Sequence, residues 1–489
     1  MAMNWFADME TRIPRDGVRT RFAPSPTGYM HVGNLRTALY AYLIAKKNGG
    51  KFILRIEDTD RDRLVEGAVG AIYQTLRDCG LEHDEGPDVG GPAGPYIQTE
   101  RRAFYGEYAA LLLEKGGAYR CFCERAEDGE GEAVKKETHP CAHLTKTESD
   151  ARAAAGERFV VRQRIPRGGT ARFRDEVFGE IVVSNDTLDD SVLIKSNGLP
   201  TYNFANVVDD HLMGITHVVR GSEYLASAPK YNLLYEAFGW EIPSYIHCPP
   251  VMRDHHSKMS KRRGDPGYED LIAQGYLTEA VLNYVALLGW SPGGERELFS
   301  LAALCGAFEI SGISKSPAIF DMEKLTHFNA EYIKALSPER FTALAEPYIR
   351  RSVKNPAIDI SLFSPILQPR TEKLTDIPEK LDFFDALPNY DAVLFINKKS
   401  GTDAALSREM LGKAREAFEE ISIWTEPAIH DTLTALAEKL AVRNATLMWP
   451  VRIAVSGRKV TPGGAVEICH ILGKDETLRR IRHGLEKLG

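Results

Sequence analysis

No apolar run in this 489-residue chain approaches the roughly 20 residues a helix needs to cross a bilayer. The opening stretch, Met1 to Arg19, is polar and charged and has no apolar signal-peptide centre, so the expected location is cytoplasmic, with no membrane partner. Cysteine is sparse. Its seven copies are an odd number, thinly spread except for Cys121, Cys123 and Cys141, which argues against a secreted disulfide framework and leaves metal binding or packing as their uses. Charge of one sign is not in great excess either, the formal net charge being −7. That mild acidity weighs little against nucleic acid, because an RNA binder needs only a local basic face. Lys258 to Arg263 is one such cluster, and Arg479-Arg480-Ile-Arg482-His483 is a second whose ordinary fate is a solvated helix surface.

What is present is 43% hydrophobic and 26% charged, an ordinary globular composition on a chain too long for one core, so two to four domains are expected. Val18 to Phe22 reads as a short strand, and Leu35, Leu39, Tyr42 and Leu43 mark the buried face of a helix that Gly49-Gly50 should end. Lys51 to Ile56 is then a near-continuous apolar strand of the kind buried on both faces in a parallel sheet. Strand, helix and strand at this spacing predict a doubly wound nucleotide-binding fold. From about Glu114 to Arg172 the texture turns to Gly, Glu, Lys and Thr with little periodicity, as an insertion would. Strands are expected again at Ile181–Val183, Ser191–Ile194 and His217–Arg220, followed by a helix over Ala228–Phe238, and the sheet should close near Cys248 to Met252. Beyond Gly264 the strand signal almost vanishes: Tyr284–Trp290, Arg340–Val353, Ala404–Ile423 and Ile429–Leu447 all read as helices, without repeat or low-complexity tract.

Arg21-Phe-Ala-Pro-Ser-Pro-Thr-Gly-Tyr-Met-His31-Val-Gly-Asn34 sets a cation, a stiff Pro-x-Pro corner, a histidine and two glycines directly ahead of a helix start. Such a start attracts anions through its aligned peptide dipoles and free N–H groups, and Gly33 lets the chain approach a phosphoryl group without a Cβ in the way. Pro24 and Pro26 stiffen the turn. Far downstream, Ser257-Lys-Met-Ser-Lys261-Arg-Arg263 supplies a basic loop.

His31-Val-Gly-Asn34 and Lys258-Met-Ser-Lys-Arg262 resemble the HIGH and KMSKS elements of class I aminoacyl-tRNA synthetases. The Pro-Ser-Pro-Thr-Gly spelling resembles the bacterial glutamyl-tRNA synthetases, as do Arg55-Ile-Glu-Asp-Thr-Asp60 and Pro200-Thr-Tyr-Asn-Phe-Ala-Asn206-Val-Val-Asp-Asp210. The match runs over nearly the whole chain, with Asn34 where HIGH has its second histidine and Arg262 where KMSKS has its last serine. The resemblance implies an α/β fold, a Rossmann-type catalytic domain in two halves (1–113 and 197–256) around an inserted acceptor-stem domain (114–196). A KMSKS and stem-contact domain (257–335) and an all-α anticodon-binding region (336–489) would follow. It further implies a monomer that joins L-glutamate to tRNA(Glu) using ATP, with Mg²⁺ arriving on the nucleotide.

Activation of a carboxylate by attack on the α-phosphorus of ATP builds charge on phosphate oxygens and on departing pyrophosphate, which positioning and fixed positive potential can stabilise. By the resemblance, His31, Lys258 and Lys261 carry the catalysis, and Gly33, Asn34, Glu223 and Tyr224 join them in holding ATP. A forked guanidinium is an efficient reader of a substrate carboxylate. Arg21, Ser25, Glu57, Tyr202, Asn206 and Arg220 match the glutamate-contact positions, with Glu57 suited to the substrate ammonium; ordinary ion pairing among themselves is the competing use of such residues. Cys121-x-Cys123 and Cys141-x-His143, separated by seventeen residues, offer four ligands in two clips and suit a structural Zn²⁺, as in some bacterial glutamyl-tRNA synthetases. A small-molecule nucleotidyl transferase and a synthetase-like RNA-binding protein without catalysis remain the alternatives.

Overall fold

A computed structural model describes residues 2–28, 30–59, 64–123, 139–259, 263–356 and 358–489, with side chains from Trp5 onward. The chain forms two compact units, Met1–Leu271 with Val281–Asp321, and Ile272–Ala280 with Met322–Gly489.

Two sheets and a short parallel pair shape the first unit. Its strands are β1 (Arg19–Phe22), β2 (Lys51–Leu54), β3 (Ala118–Cys121), β4 (Val160–Gln163), β5 (Thr170–Asp175), β6 (Gly179–Ser184), β7 (Val192–Ile194), β8 (His217–Gly221), β9 (Ser244–Cys248), β10 (Val251–Met252) and β11 (Ala318–Ile319). The main sheet runs β2-β1-β8-β9-β5-β6, with every pairing parallel except the β5–β6 hairpin at its edge. From β1 the chain passes through the helix Val32–Lys47 to β2 on one side, whereas from β8 it passes through the helix Ala228–Phe238 to β9 on the other. The strand order therefore reverses between β1 and β8. In a doubly wound sheet the crevice outside the carboxyl ends of the strands at that reversal is where ligands sit. Arg21 and Arg220 stand one residue from the carboxyl ends of these two strands.

Burial explains the local choices. Ile53, Val218 and Tyr245 from the sheet pack with Phe204, Val207 and Val208 of the helix Tyr202–Leu212 and with Tyr231 and Leu234 of Ala228–Phe238 in one core. Gly49, at φ +61°, adopts the left-handed turn that the end of Val32–Lys47 requires. The stretch 114–196 contributes to both sheets: β3, β4 and β7 make a separate antiparallel sheet, while β5 and β6 extend the main one. The β10–β11 pair, Val251↔Ala318 and Met252↔Ile319, lies partly beyond Gly264, where sequence patterning gives almost no strand signal; two residues are too few for a period to show.

The second unit is helical. Its larger helices, Met322–Lys334, Pro338–Ser352, Ile377–Asp385, Ala404–Glu419, Glu426–Lys439, Asn444–Ser456, Ala465–Leu472 and Lys474–Lys487, enclose a core that includes Phe341, Phe395, Leu411, Phe418, Val451 and Ile481. The single helix expected over Ile429–Leu447 is two, broken after Lys439 where Ala441 takes φ +53°. Apolar spacing continues across the break, so periodicity alone could not reveal it. Arg480 is not on a solvated face: it is fully buried and donates to the carbonyls of Phe383 (2.7 Å), Val455 (2.7 Å) and Phe384 (3.1 Å). It clamps three segments of this unit together.

Candidate active site

Strand β1 carries two buried arginines among four residues, which is affordable only if each guanidinium finds partners. Arg19 pairs with Glu85 at 2.8 Å, itself held by the Tyr96 hydroxyl at 2.6 Å. Arg21 meets Asp210 as a fork, with Nε at 3.0 Å from Oδ1 and Nη2 at 3.2 Å from Oδ2, and its Nη1 donates to the Val219 carbonyl. Arg55 adds Nη1 at 2.7 Å from the same Asp210 Oδ1 and donates to Glu57 Oε1 from Nη2 (3.0 Å) and Nε (3.3 Å). The adjacent Asp209 accepts from Arg101 Nε (2.6 Å), Gln98 (2.9 Å) and the Tyr105 hydroxyl. Burial opposes the charge on Asp210, but Arg21 and Arg55 outweigh it and hold the carboxyl below its ordinary range.

Glu57 is different. Burial drives its carboxyl above the ordinary value in spite of Arg55 and Arg21. Its loop is fixed by backbone: Arg55 N donates to Phe22 O and Glu57 N to Pro24 O, so the proline corner and the acidic loop are tied across the sheet end. Pro26 O likewise accepts from Val65 N. Prolines suit this job because their carbonyls are the only hydrogen-bonding groups the ties use. Ser25 is exposed at the corner.

Arg220 is 5% exposed, and among the described residues it forms no ion pair and leaves Nη2 without a hydrogen-bond partner. Its guanidinium lies 4.7 Å from the ring centre of Tyr231, 5.1 Å from Tyr245 and 5.3 Å from Tyr224, an aromatic surround that favours a cation without neutralising it. Tyr202 packs on Tyr224 with ring centres 5.4 Å apart, and burial lifts the Tyr202 hydroxyl far above its ordinary value. Asn206, one turn along the same helix, donates to the Tyr202 carbonyl at 2.9 Å. Of the two forks expected to read a carboxylate, Arg21 is already compensated by Asp210, and Arg220 is the one with charge to offer.

His31 caps the helix Val32–Lys47: its Nδ1 accepts from Gly33 N at 3.0 Å. In the neutral ring this leaves Nε2 as the donor. A Cβ at position 33 would stand 3.3 Å from His31 Nδ1, so the glycine also makes room for the capping ring. Asn34 is exposed on the first turn. Capping engages Nδ1, so an anion at this helix start would meet Nε2.

The basic loop is anchored at its root. Met252 and Lys258 form an antiparallel bridge, and Asp254 closes the turn by accepting from His256 N (2.8 Å), Ser257 N (2.9 Å) and Ser257 Oγ (2.6 Å). Those hydrogen bonds, led by Ser257, bring the Asp254 carboxyl down to about 2. Lys258 is exposed, and Lys261 lies outside the described residues. After β8, Ser222–Tyr224 forms a 3-10 turn that leaves Glu223 exposed and its carboxylate against the backbone of Gly221, where a Cβ would stand 2.2 Å from it.

Between β3 and β4, Cys121, Cys123 and His139 bring one ligand atom each to within 4.8 Å of one another. Cys141 Sγ lies 3.7 Å from Cys123 Sγ and accepts from Phe122 N. Two sulfurs and an imidazole form three corners of a tetrahedral zinc site, and Cys141, beside Cys123 but outside that trio, is placed to complete it. His143, the fourth ligand expected from the Cys-x-His clip, is exposed and outside this group. His139 stands two residues before Cys141, on the opposite side from the expected His143.

Sequence reading also missed His247, Asp175, Tyr231 and Tyr245 as parts of the site, and took in Asp209 only as one letter of a motif. One signal was available: Asp209-Asp210 on a helix otherwise lined by Phe204, Ala205, Val207, Val208 and Leu212 had to be paired if that face was buried.

A doubly wound sheet with a cationic, tyrosine-lined crevice at its reversal, a histidine-capped helix start beside it, and a separate helical unit defines a class I tRNA synthetase architecture. Residues 17–327 match the family of class I tRNA synthetases (E and Q), catalytic domain, and residues 340–485 match the anticodon binding domain family. The chain belongs to the class I tRNA synthetases of the glutamate and glutamine group. The glutamate–tRNA ligase of Clostridium tetani is 57% identical over 96% of this chain and 98% of its own length, and that of Clostridium kluyveri is 56% identical over the same shares. A crystal structure of a glutamate tRNA ligase from Elizabethkingia meningosepticum, in complex with its amino acid, is 32% identical with a TM-score of 0.85, covering 96% of this chain and all of that one.

Proposed function

We propose that this chain is a glutamate–tRNA ligase. Glutamate attacks the α-phosphorus of ATP to give glutamyl-adenylate and pyrophosphate. The 2′-hydroxyl of the terminal ribose of tRNA(Glu) then displaces AMP from the activated carbonyl. The observation that carries the reading is Arg220, a buried guanidinium with an unengaged edge and, among the described residues, no carboxylate of its own, facing the strand reversal from the opposite side to Arg21. A substrate carboxylate supplies the missing counter-charge. Glu57, whose negative charge burial opposes, receives the substrate ammonium, which favours the ionised carboxylate.

His31 Nε2 and the start of Val32–Lys47 hold phosphate oxygens as charge builds there, joined by Lys258 and Lys261 of the basic loop and by Asn34 at the same helix start. Glu223 and Tyr224 border the nucleoside. Mg²⁺ would arrive with ATP and supply part of the positive charge at the triphosphate. Cys121, Cys123 and His139, with Cys141 beside them, would hold a structural zinc ion between β3 and the segment ahead of β4. The helical unit reads the anticodon of tRNA(Glu), the protein acts as a monomer, and its compartment is the cytoplasm.

The test is exchange of labelled pyrophosphate into ATP. In the group this chain resembles, activation usually waits for tRNA, so exchange is expected to be low with glutamate and ATP alone and to rise strongly when tRNA(Glu) is added. Exchange indifferent to tRNA would favour a small-molecule nucleotidyl transferase.

A further inference from the structure

Arg220 is oriented by a neighbour outside every motif. On the paired strands β8 and β9, Arg220 and His247 stand in register, and Arg220 Nε donates to His247 Nε2 at 3.1 Å. A nitrogen that accepts from a guanidinium carries no proton, so the ring's single N–H is on Nδ1. That N–H reaches Asp175 Oδ2 at 2.6 Å, at the last residue of β5. Asp175 is itself fully engaged, accepting from Val177 N (2.9 Å) and Phe178 N (2.7 Å) at Oδ1 and from His247 N (3.2 Å) at Oδ2. Asp175 and His247 are both wholly buried. Burial and the Arg220 charge, opposed by the Asp175 hydrogen bond, keep the imidazole below its ordinary value and neutral at pH 7.

We propose that His247, locked by Asp175 as the Nδ1–H tautomer, is a positioning residue for the glutamate site: it fixes Arg220 by its Nε while leaving the cation uncancelled for a substrate carboxylate. The contrast with Arg21 carries the argument. A carboxylate at position 247 would bind the guanidinium more strongly and neutralise it, as Asp210 does to Arg21. An imidazole acceptor gives aim without charge, and the negative partner is held one ring further away. The three rings around the guanidinium, Tyr224, Tyr231 and Tyr245, are also neutral at pH 7, since burial raises all three hydroxyls, and the nearby carboxylates Glu57 and Glu223 act on the cluster without an ion pair to Arg220 among the described residues.

This inference rests on the glutamate-site reading above. The test is steady-state aminoacylation of tRNA(Glu) by the full chain, varying glutamate and ATP separately, for wild type, His247→Leu, His247→Gln and Asp175→Asn. Asparagine at 175 keeps an oxygen for the turn amides and turns a donor toward His247 Nδ1, forcing the proton to Nε2 and setting donor against donor at Arg220. His247→Leu and Asp175→Asn are expected to raise KM for glutamate about tenfold or more while KM for ATP stays within about twofold. His247→Gln, whose side-chain oxygen can accept from Nε, should recover most of the loss.

A folded Asp175→Asn protein with unchanged glutamate KM, or parallel rises in both KM values, would overturn the assignment. Where the variants fail to fold, the ¹⁵N shifts of histidine-labelled wild type decide: an unprotonated Nε2 at His247 supports it and an unprotonated Nδ1 overturns it. Wild type that does not charge tRNA(Glu) with glutamate contradicts the site reading itself, whereas normal charging with indifferent variants contradicts only the role of His247.

Discussion

Replacing Asp210 by Asn removes the charge at the node of the buried network without changing its shape. Asp210 takes three guanidinium hydrogen bonds, two from Arg21 and one from Arg55. Arg55 keeps Glu57 after the change, but Arg21 keeps only the Val219 carbonyl. Removing one partner of a buried ion pair costs about 3–5 kcal/mol, and with a single guanidinium orphaned the middle of that range, about 4 kcal/mol, is expected. Against a typical domain stability of about 5–15 kcal/mol this leaves the first unit marginal.

The sign of the pH dependence follows from Asp210 itself. Its folded-state pKa is depressed, so its contribution is fully present above the unfolded value of about 3.9 and is lost as pH falls through the lower folded value. The gap between wild type and variant should therefore be constant from pH 7 to about 5 and shrink below about 4. Urea unfolding reads this cleanly in a Trp424→Phe, Trp449→Phe background, because the remaining tryptophans, Trp5, Trp240 and Trp290, all lie in the first unit. A loss below about 1 kcal/mol at pH 7, or a gap that does not narrow in acid, would refute the reasoning.

Three further outcomes follow. Gly33→Ala sets a Cβ 3.3 Å from His31 Nδ1 and should cost about 1 kcal/mol of cap stability and at least tenfold in turnover, read by thermal unfolding and aminoacylation; unchanged turnover would mean the ring's aim is unimportant. Elemental analysis after desalting without chelator should give one zinc per chain in wild type and in His143→Ala, and almost none in Cys123→Ser or His139→Ala; the reverse result for the two histidines would restore the Cys-x-His clip. Lys261→Ala should lower turnover about 100-fold with tRNA affinity within about twofold, and equal losses in both would assign the lysine to RNA binding.

The strand, proline corner and helix from Arg19 to Lys47 were legible because capping, periodicity and a terminal glycine all speak within thirty residues of each other. The same holds for Ala228–Phe238, found with its ends in place. What escaped was whatever depends on long-range partners. The pattern of β5, with Ala171, Phe173 and Asp175 inward between exposed neighbours, alternates cleanly, yet it lies in a stretch whose Gly- and Glu-rich texture argues for an insertion. His247 offers no local sign of its role, since its meaning comes from Arg220 and Asp175, 27 and 72 residues away. Motif spelling pointed to both arginines equally. Only the ion pairs distinguish the compensated Arg21 from the uncompensated Arg220.

The account's central claim is that the reversal between β1 and β8 holds an acidic amino acid beside a phosphate-binding helix start. A crystal structure of the full chain with a non-hydrolysable glutamyl-adenylate analogue tests it most directly. The account predicts a glutamyl carboxylate on the free edge of Arg220, its ammonium at Glu57, and the phosphate mimic between His31 and the loop that begins at Lys258. An analogue bound away from both Arg220 and His31 would contradict it.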